Sequence, residues 1–135
     1  MFSIDGVRKL HGWTHGSLGL VLDHLSTMPA DDYVREVSGF GFRTLREQTI
    51  HIFNCEGFWV HTLRGLRYAD RTPEECPAAA DVRLLQKEVS QSTDAYLSNL
   101  TNQQLNADAE LHFPDGDVAV RTPDVVCPVR GLTWS

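Results

Sequence analysis

The segment that most constrains this chain begins at Thr44-Leu45-Arg46-Glu47. A threonine followed three residues later by a glutamate is a capping box: the hydroxyl accepts from the third helical amide and the carboxylate reaches back. The stripe behind it, Leu45, Thr49, Ile52, Glu56, Trp59, Leu63 and Leu66, keeps the three-and-four spacing of one helix face. The spacing predicts a helix over 44–66, with Gly65 as its breaker, and its 45–64 portion would be ~30 Å long. An element of that length is the spine of a helical bundle. The rest of the fold must be built around it.

Two further stripes supply the partners. Val7, Leu10, Thr14, Leu18, Val21, Leu25 and Met28 predict a helix over 4–28, capped by Ser3 and closed before Pro29. Val82, Leu85, Val89, Thr93, Tyr96 and Leu100 predict a third helix over 78–100, because Pro77 cannot lie inside it. Residues 30–41 read as a crossing loop. Helical periodicity then stops, and Leu111-His112-Phe113 and Val118-Ala119-Val120 flank Pro114-Asp115-Gly116-Asp117, which predicts a β-hairpin over 109–121. Thr122-Pro123 has the form of another helix start, but Pro128 and Gly131 interrupt the tail, 122–135. The chain therefore reads as one all-α domain over 1–135, a four-helix plan whose fourth helix is absent or incomplete.

Composition narrows the function. With 135 residues, 41% hydrophobic, there is enough apolar material for a core without disulfide staples. No run approaches the ~20 apolar residues of a membrane span, and the opening MFSIDGVRKLHGW lacks the apolar core of a secretory signal. The expected location is the cytoplasm, with no membrane partner. Twelve basic against eighteen acidic residues, a net charge of −6, argue against nucleic acid as a partner. Cys55, Cys76 and Cys127 are widely spaced and read as free thiols.

Chemistry concentrates on histidine. His51 lies mid-helix beside the Ile52 stripe, where an imidazole can ligate a divalent metal or bond a backbone carbonyl. His11 and His15 stand one turn apart, at a spacing that allows two imidazoles to share an ion. They flank the first stripe, so a half-exposed polar edge of the helix is the simpler account of them. Cys55 follows His51 by one turn and is a further candidate ligand, or a small buried hydrophobe. Glu56 falls inside the apolar stripe, which calls for a buried partner such as Arg8, Arg46 or Arg64, or for a part in acid–base or ligand chemistry. No catalytic residue is identifiable from spacing alone.

The run Phe42 to Trp59, with a leucine before His51-Ile52, Glu56 five residues after the histidine and Trp59 three beyond, resembles the second helix of the DinB/YfiT-like superfamily. Trp13 and the leucine-rich run after it are similar to the family's first helix, with His15 in its asparagine place. The resemblance implies an up-down-down-up four-helix bundle, often a homodimer. It also implies nickel or zinc held by one histidine of the second helix and two of the fourth, which serves thiol S-transferases using bacillithiol or mycothiol and metal-dependent hydrolases. Carried over residue by residue, it gives His51 alone as a ligand, since no histidine follows His112. A truncated or frame-disrupted tail, a divergent member without the metal, and a site rebuilt from His11 and His15 each account for that gap. The resemblance thus implies a metal-dependent enzyme acting on a low-molecular-weight thiol or an electrophile, inactive if the ligands are missing. The alternative is a non-catalytic helical protein that dimerises through its open bundle face.

Overall fold

The computed structural model describes residues 1–39, 41–113 and 115–121. The tail 122–135, and with it the expected fourth-helix start, lies outside the described residues. Three long helices carry the fold: α1 (Ile4–Thr27), α3 (Leu45–Leu63) and α4 (Ala79–Ser98). Short turns of helix join them, α2 (Ala30–Val34), a 3-10 turn (Pro73–Glu75) and α5 (Asn102–Leu105), and a hairpin of β1 (Ala109–His112) and β2 (Val118–Arg121) follows. The long helices end within two or three residues of their predicted bounds. Residues 30–41 are not all loop, because α2 seats Tyr33 in the core. A single turn is too short for a periodic signal to register.

Local chemistry sets the ends. Ser3 Oγ accepts from the Gly6 amide, and Thr44 Oγ1 accepts from the Glu47 amide at 3.0 Å. The Glu47 carboxylate accepts from the Arg43 amide at 3.1 Å, so the reciprocal bond falls one residue outside the predicted box. Gly65, at φ +70, closes α3: its amide donates to Thr62 O and that of Leu66 to His61 O, the paired bonds of a Schellman cap. At the other end of the molecule α5 ties down the start of α1. The Ile4 amide donates to Asn102 Oδ1 and the Phe2 amide to Asn106 Oδ1, each at 2.8 Å, while Asn106 Nδ2 donates back to Phe2 O.

α4 packs against both α1 and α3. The core gathers Leu22 and Leu25 of α1, Tyr33, Ile50 and Phe53 of α3, Cys76, and Val82, Leu85 and Val89 of α4. The predicted α4 face is correct at Val82, Leu85, Val89 and Thr93. Two predicted stripes are displaced. Leu10 and Val21 are at least half exposed, and the buried seam of α1 instead runs His11, His15, Leu18, Leu22, Leu25. On α3 Ile52 faces solvent, and burial follows Thr49, Ile50, Phe53, Gly57 and Val60.

The hairpin pairs antiparallel with Leu111 opposite Ala119 and His112 opposite Val118. Gly116, at φ +92, makes the turn, and buried Leu111 docks the hairpin on α3. The segment after α3 is fastened by buried Asn54. Its Oδ1 accepts from Tyr68 Oη and the Arg71 amide, each at 3.0 Å, and its Nδ2 donates to Arg71 O. Burial, reinforced by the nearby Asp70 carboxylate, pushes the Tyr68 phenol up to about 12.

Candidate metal centre

His11 and His15 prolong the seam begun by Leu25, Leu22 and Leu18, at spacings of three and four residues. That places two imidazoles at the α1–α3–α4 junction, where burial obliges each ring nitrogen to find a partner. The partner is Glu56 of α3. Its Oε1 lies 2.8 Å from His11 Nε2 and its Oε2 lies 2.7 Å from His15 Nε2. The two imidazoles are 12% and 10% exposed and the carboxylate 22%, so the cluster is largely but not wholly withdrawn from water. Among the described residues these three form the group of histidine, cysteine and acidic ligand atoms that all lie within 4.8 Å of one another.

α4 braces the cluster. Thr93 Oγ1 donates to Glu56 Oε1 at 2.7 Å and fixes the carboxylate rotamer. Asp94 Oδ1 lies 3.3 Å from His11 Nδ1, so both nitrogens of that ring face carboxylate oxygens. Gln86 Nε2 donates to His15 O at 3.1 Å and lies 3.4 Å from His15 Nδ1. The two imidazoles meet edge to face at 4.4 Å, and His15 stacks 6.1 Å from Phe53. Thr93 and Asp94 thus stand behind Glu56 and His11 as second groups do at metal-binding histidines, whereas the Gln86 amide, a donor, faces His15 Nδ1 and favours a proton on Nε2.

A cavity of about 430 Å³ opens beside the cluster, with His11, Glu56 and Thr93 at one end and Val7, Leu10, Val60, Leu63 and Leu97 along its walls. The cluster therefore borders a largely apolar chamber.

The predicted residues divide between two places. His11 and His15 come together with Glu56, whose partners are these histidines and not Arg8, Arg46 or Arg64. His51 stands elsewhere on α3, about 140° round the helix from Glu56. Its ring lies 4.4 Å from Phe42, and Cys55 Sγ is 3.3 Å from its Nε2. Burial, with a smaller contribution from Asp70, pushes the Cys55 thiol up, which keeps it protonated and a poor ligand at neutral pH. Gln86 and Asp94 belong to the cluster's surroundings without a motif that marks them in the sequence. Gln86 is a polar residue one step from Leu85 on the buried face, and that was its available signal.

Two imidazole nitrogens and a carboxylate oxygen suit zinc or nickel. The present N···O separations are hydrogen-bond lengths, and a tetrahedral ion with bonds of about 2.0–2.1 Å would need roughly 3.3 Å between its donors. The side chains of the two helices would have to move apart to admit the ion.

A family model described as the DinB superfamily matches residues 15–124. A search of curated proteins gives no match. The matched span takes in His15, His51, Cys55 and Glu56, while His11 precedes it. With three long helices, the hairpin after them and a family match over most of its length, the chain belongs to the DinB superfamily.

Proposed function

We propose that this protein is a metal-dependent enzyme of the thiol-transferase or hydrolase class, with zinc or nickel held by His11, His15 and Glu56. The observation that carries this reading is the convergence of three ligand atoms from two helices at the polar end of a cavity. Three protein ligands leave a position open on the ion, and the bound metal supplies Lewis acidity there, lowering the pKa of a coordinated water or thiol towards neutrality. The chain's own residues prepare that position. Asp94 Oδ1, 3.3 Å from His11 Nδ1, stands where it would take that nitrogen's proton and leave the Nε2 lone pair to a bound metal, and Gln86 holds the His15 backbone. Thr93 keeps Glu56 turned towards both imidazoles, and the apolar walls exclude bulk water.

The test is elemental analysis after zinc or nickel loading. The wild-type chain is expected to retain about one ion. His11→Ala and His15→Ala should each lose it while keeping their helical circular dichroism, and His51→Ala should retain it. Loss in His51→Ala with retention in both α1 variants, or no metal in the wild type, would overturn the assignment.

A second reading, self-association, is supported by the outer face of α1. Trp13 is 71% and Leu20 72% exposed, Gly16 lies between them with open space above it, and all three point away from the His11–Leu22 seam. Exposed apolar faces of this kind mark association surfaces, and a two-fold dimer is the simplest cover. Light scattering should give a dimer mass that falls to the monomer in Leu20→Glu; a wild-type monomer at every concentration sinks the idea.

A further inference from the structure

The cavity walls are selective in a way that the metal cluster does not require. Val7 and Leu10 of α1, Val60 and Leu63 of α3, and Leu97 of α4 with Leu100 just beyond it face one another across it. Among the described residues no lysine or arginine lines it, so a phosphate or free carboxylate entering the chamber would find no permanently charged cation there. Two of the polar groups at its edge are already engaged: Thr14 Oγ1 donates to Leu10 O, and Gln104 Oε1 accepts from the Thr101 amide. A sugar or other polyhydroxylated molecule would leave most of its hydroxyls unpaired. The polar groups that point to chemistry, His11, Glu56 and Thr93, sit together at one end.

We infer that the cavity binds a small monofunctional amphiphile, an apolar chain or ring bearing one uncharged or metal-ligating polar head, with the head against Glu56 and Thr93 and the body between α1, α3 and α4. About 430 Å³ lies within the usual ~300–1,000 Å³ of small-molecule sites. An apolar guest gains by covering such walls, because it takes their surface and its own out of water. The orientation follows from the bonded cluster of His11, Glu56 and Thr93 at one end; elsewhere a polar head meets mostly apolar walls, with Tyr96 and Gln104 the other polar side chains besides Thr14. The placement of the head next to the chemistry rests on the proposed metal site, whereas the choice of an apolar body rests on the walls alone.

Calorimetric titration of the intact protein in chelator with 1-butanol, 1-hexanol and 1-octanol tests the body of the ligand without any metal. Affinity should rise about fourfold per methylene, or about 15-fold for each two-carbon step. Octanoate, its charge facing Glu56, should bind at least about tenfold more weakly than 1-octanol under these conditions. Val7→Phe and Ala107→Phe fill the cavity from opposite sides, and each should weaken 1-octanol at least about tenfold with the unfolding midpoint preserved. The inference is overturned by affinity that does not grow with chain length, by octanoate binding as well as octanol, or by both filling variants binding normally. It is equally overturned if light scattering shows the alkanols changing the oligomeric state, since the cavity is then an interface between copies. Added zinc should bring octanoate up to the affinity of octanol; if it fails to while the alkanol series holds, the metal assignment falls and the apolar site stands.

Discussion

Glu56→Ala is expected to lower stability by about 2–4 kcal/mol and to abolish metal uptake, whereas Glu56→Gln loses the metal at a smaller cost of about 1–2 kcal/mol. One carboxylate joins three helices: α3 carries it, His11 and His15 reach it from α1, and Thr93 reaches it from α4. Truncation strands two imidazoles and a hydroxyl in a site that is largely closed to water. Hydrogen bonds to charged groups are each worth about 1.5–3 kcal/mol, but these share one acceptor, and Thr93 keeps a bond to Val89 O, so they will not add. Glutamine preserves the shape and one acceptor oxygen, and places an amide where the second acceptor stood. Urea unfolding with an unchanged slope measures the difference, and zinc should raise the midpoint of the wild type alone. An alanine variant as stable as the wild type would mean that the cluster does not clasp the bundle.

The second large effect is expected from a single methyl group. Gly57→Ala puts a Cβ 2.4 Å from Cε2 and Cζ of Tyr68, well inside contact distance. The ring cannot slide aside cheaply, because its hydroxyl donates to Asn54 Oδ1 and its other neighbour, the His61 ring, lies 5.1 Å away. Tyr68 must swing out and forfeit both contacts. Overpacking of this kind costs about 1–3 kcal/mol, and the better helix propensity of alanine returns about 1 kcal/mol at most. The net expectation is a loss of about 1–2 kcal/mol together with faster proteolysis of the segment around 64–72. Gly57→Ala combined with Tyr68→Ala should recover part of that loss, since the clash is then gone; a double mutant no better than the single would refute the steric account.

Legibility in the sequence followed the kind of residue that does the work. The ends of α3 were readable because Thr44 and Gly65 act on amides and carbonyls within four residues of themselves. The face of α4 was readable because its buried positions are mostly apolar. On α1 the same counting misleads by one position: Leu10 and Val21 are apolar yet at least half exposed, while the seam passes through His11, His15 and Leu22. Those histidines are buried because Glu56 neutralises the cost, and a pairing across 41 or 45 residues leaves no periodic trace. Glu56 was recognised as anomalous in its stripe, and the anomaly was the correct pointer, although its partners are imidazoles and not guanidinium groups. The Asn54 fastening was invisible for a related reason: its partners include the backbone of Arg71, and backbone groups have no sequence signature.

The bonds from Phe2 and Ile4 to Asn102 and Asn106 bear on the order in which the molecule is made. They close a loop of about a hundred residues, and α1 leaves the ribosome long before its clamp does. The first turn of α1, with Phe2 and Val7 at the rim of the cavity, therefore becomes fixed only when residues 102–106 arrive. Contacts so distant along the chain form late in folding, after the nearer ones have reduced the entropy of closing the loop. The cavity rim should then be among the last parts of the molecule to settle during synthesis, and among the first to open when the folded protein breathes.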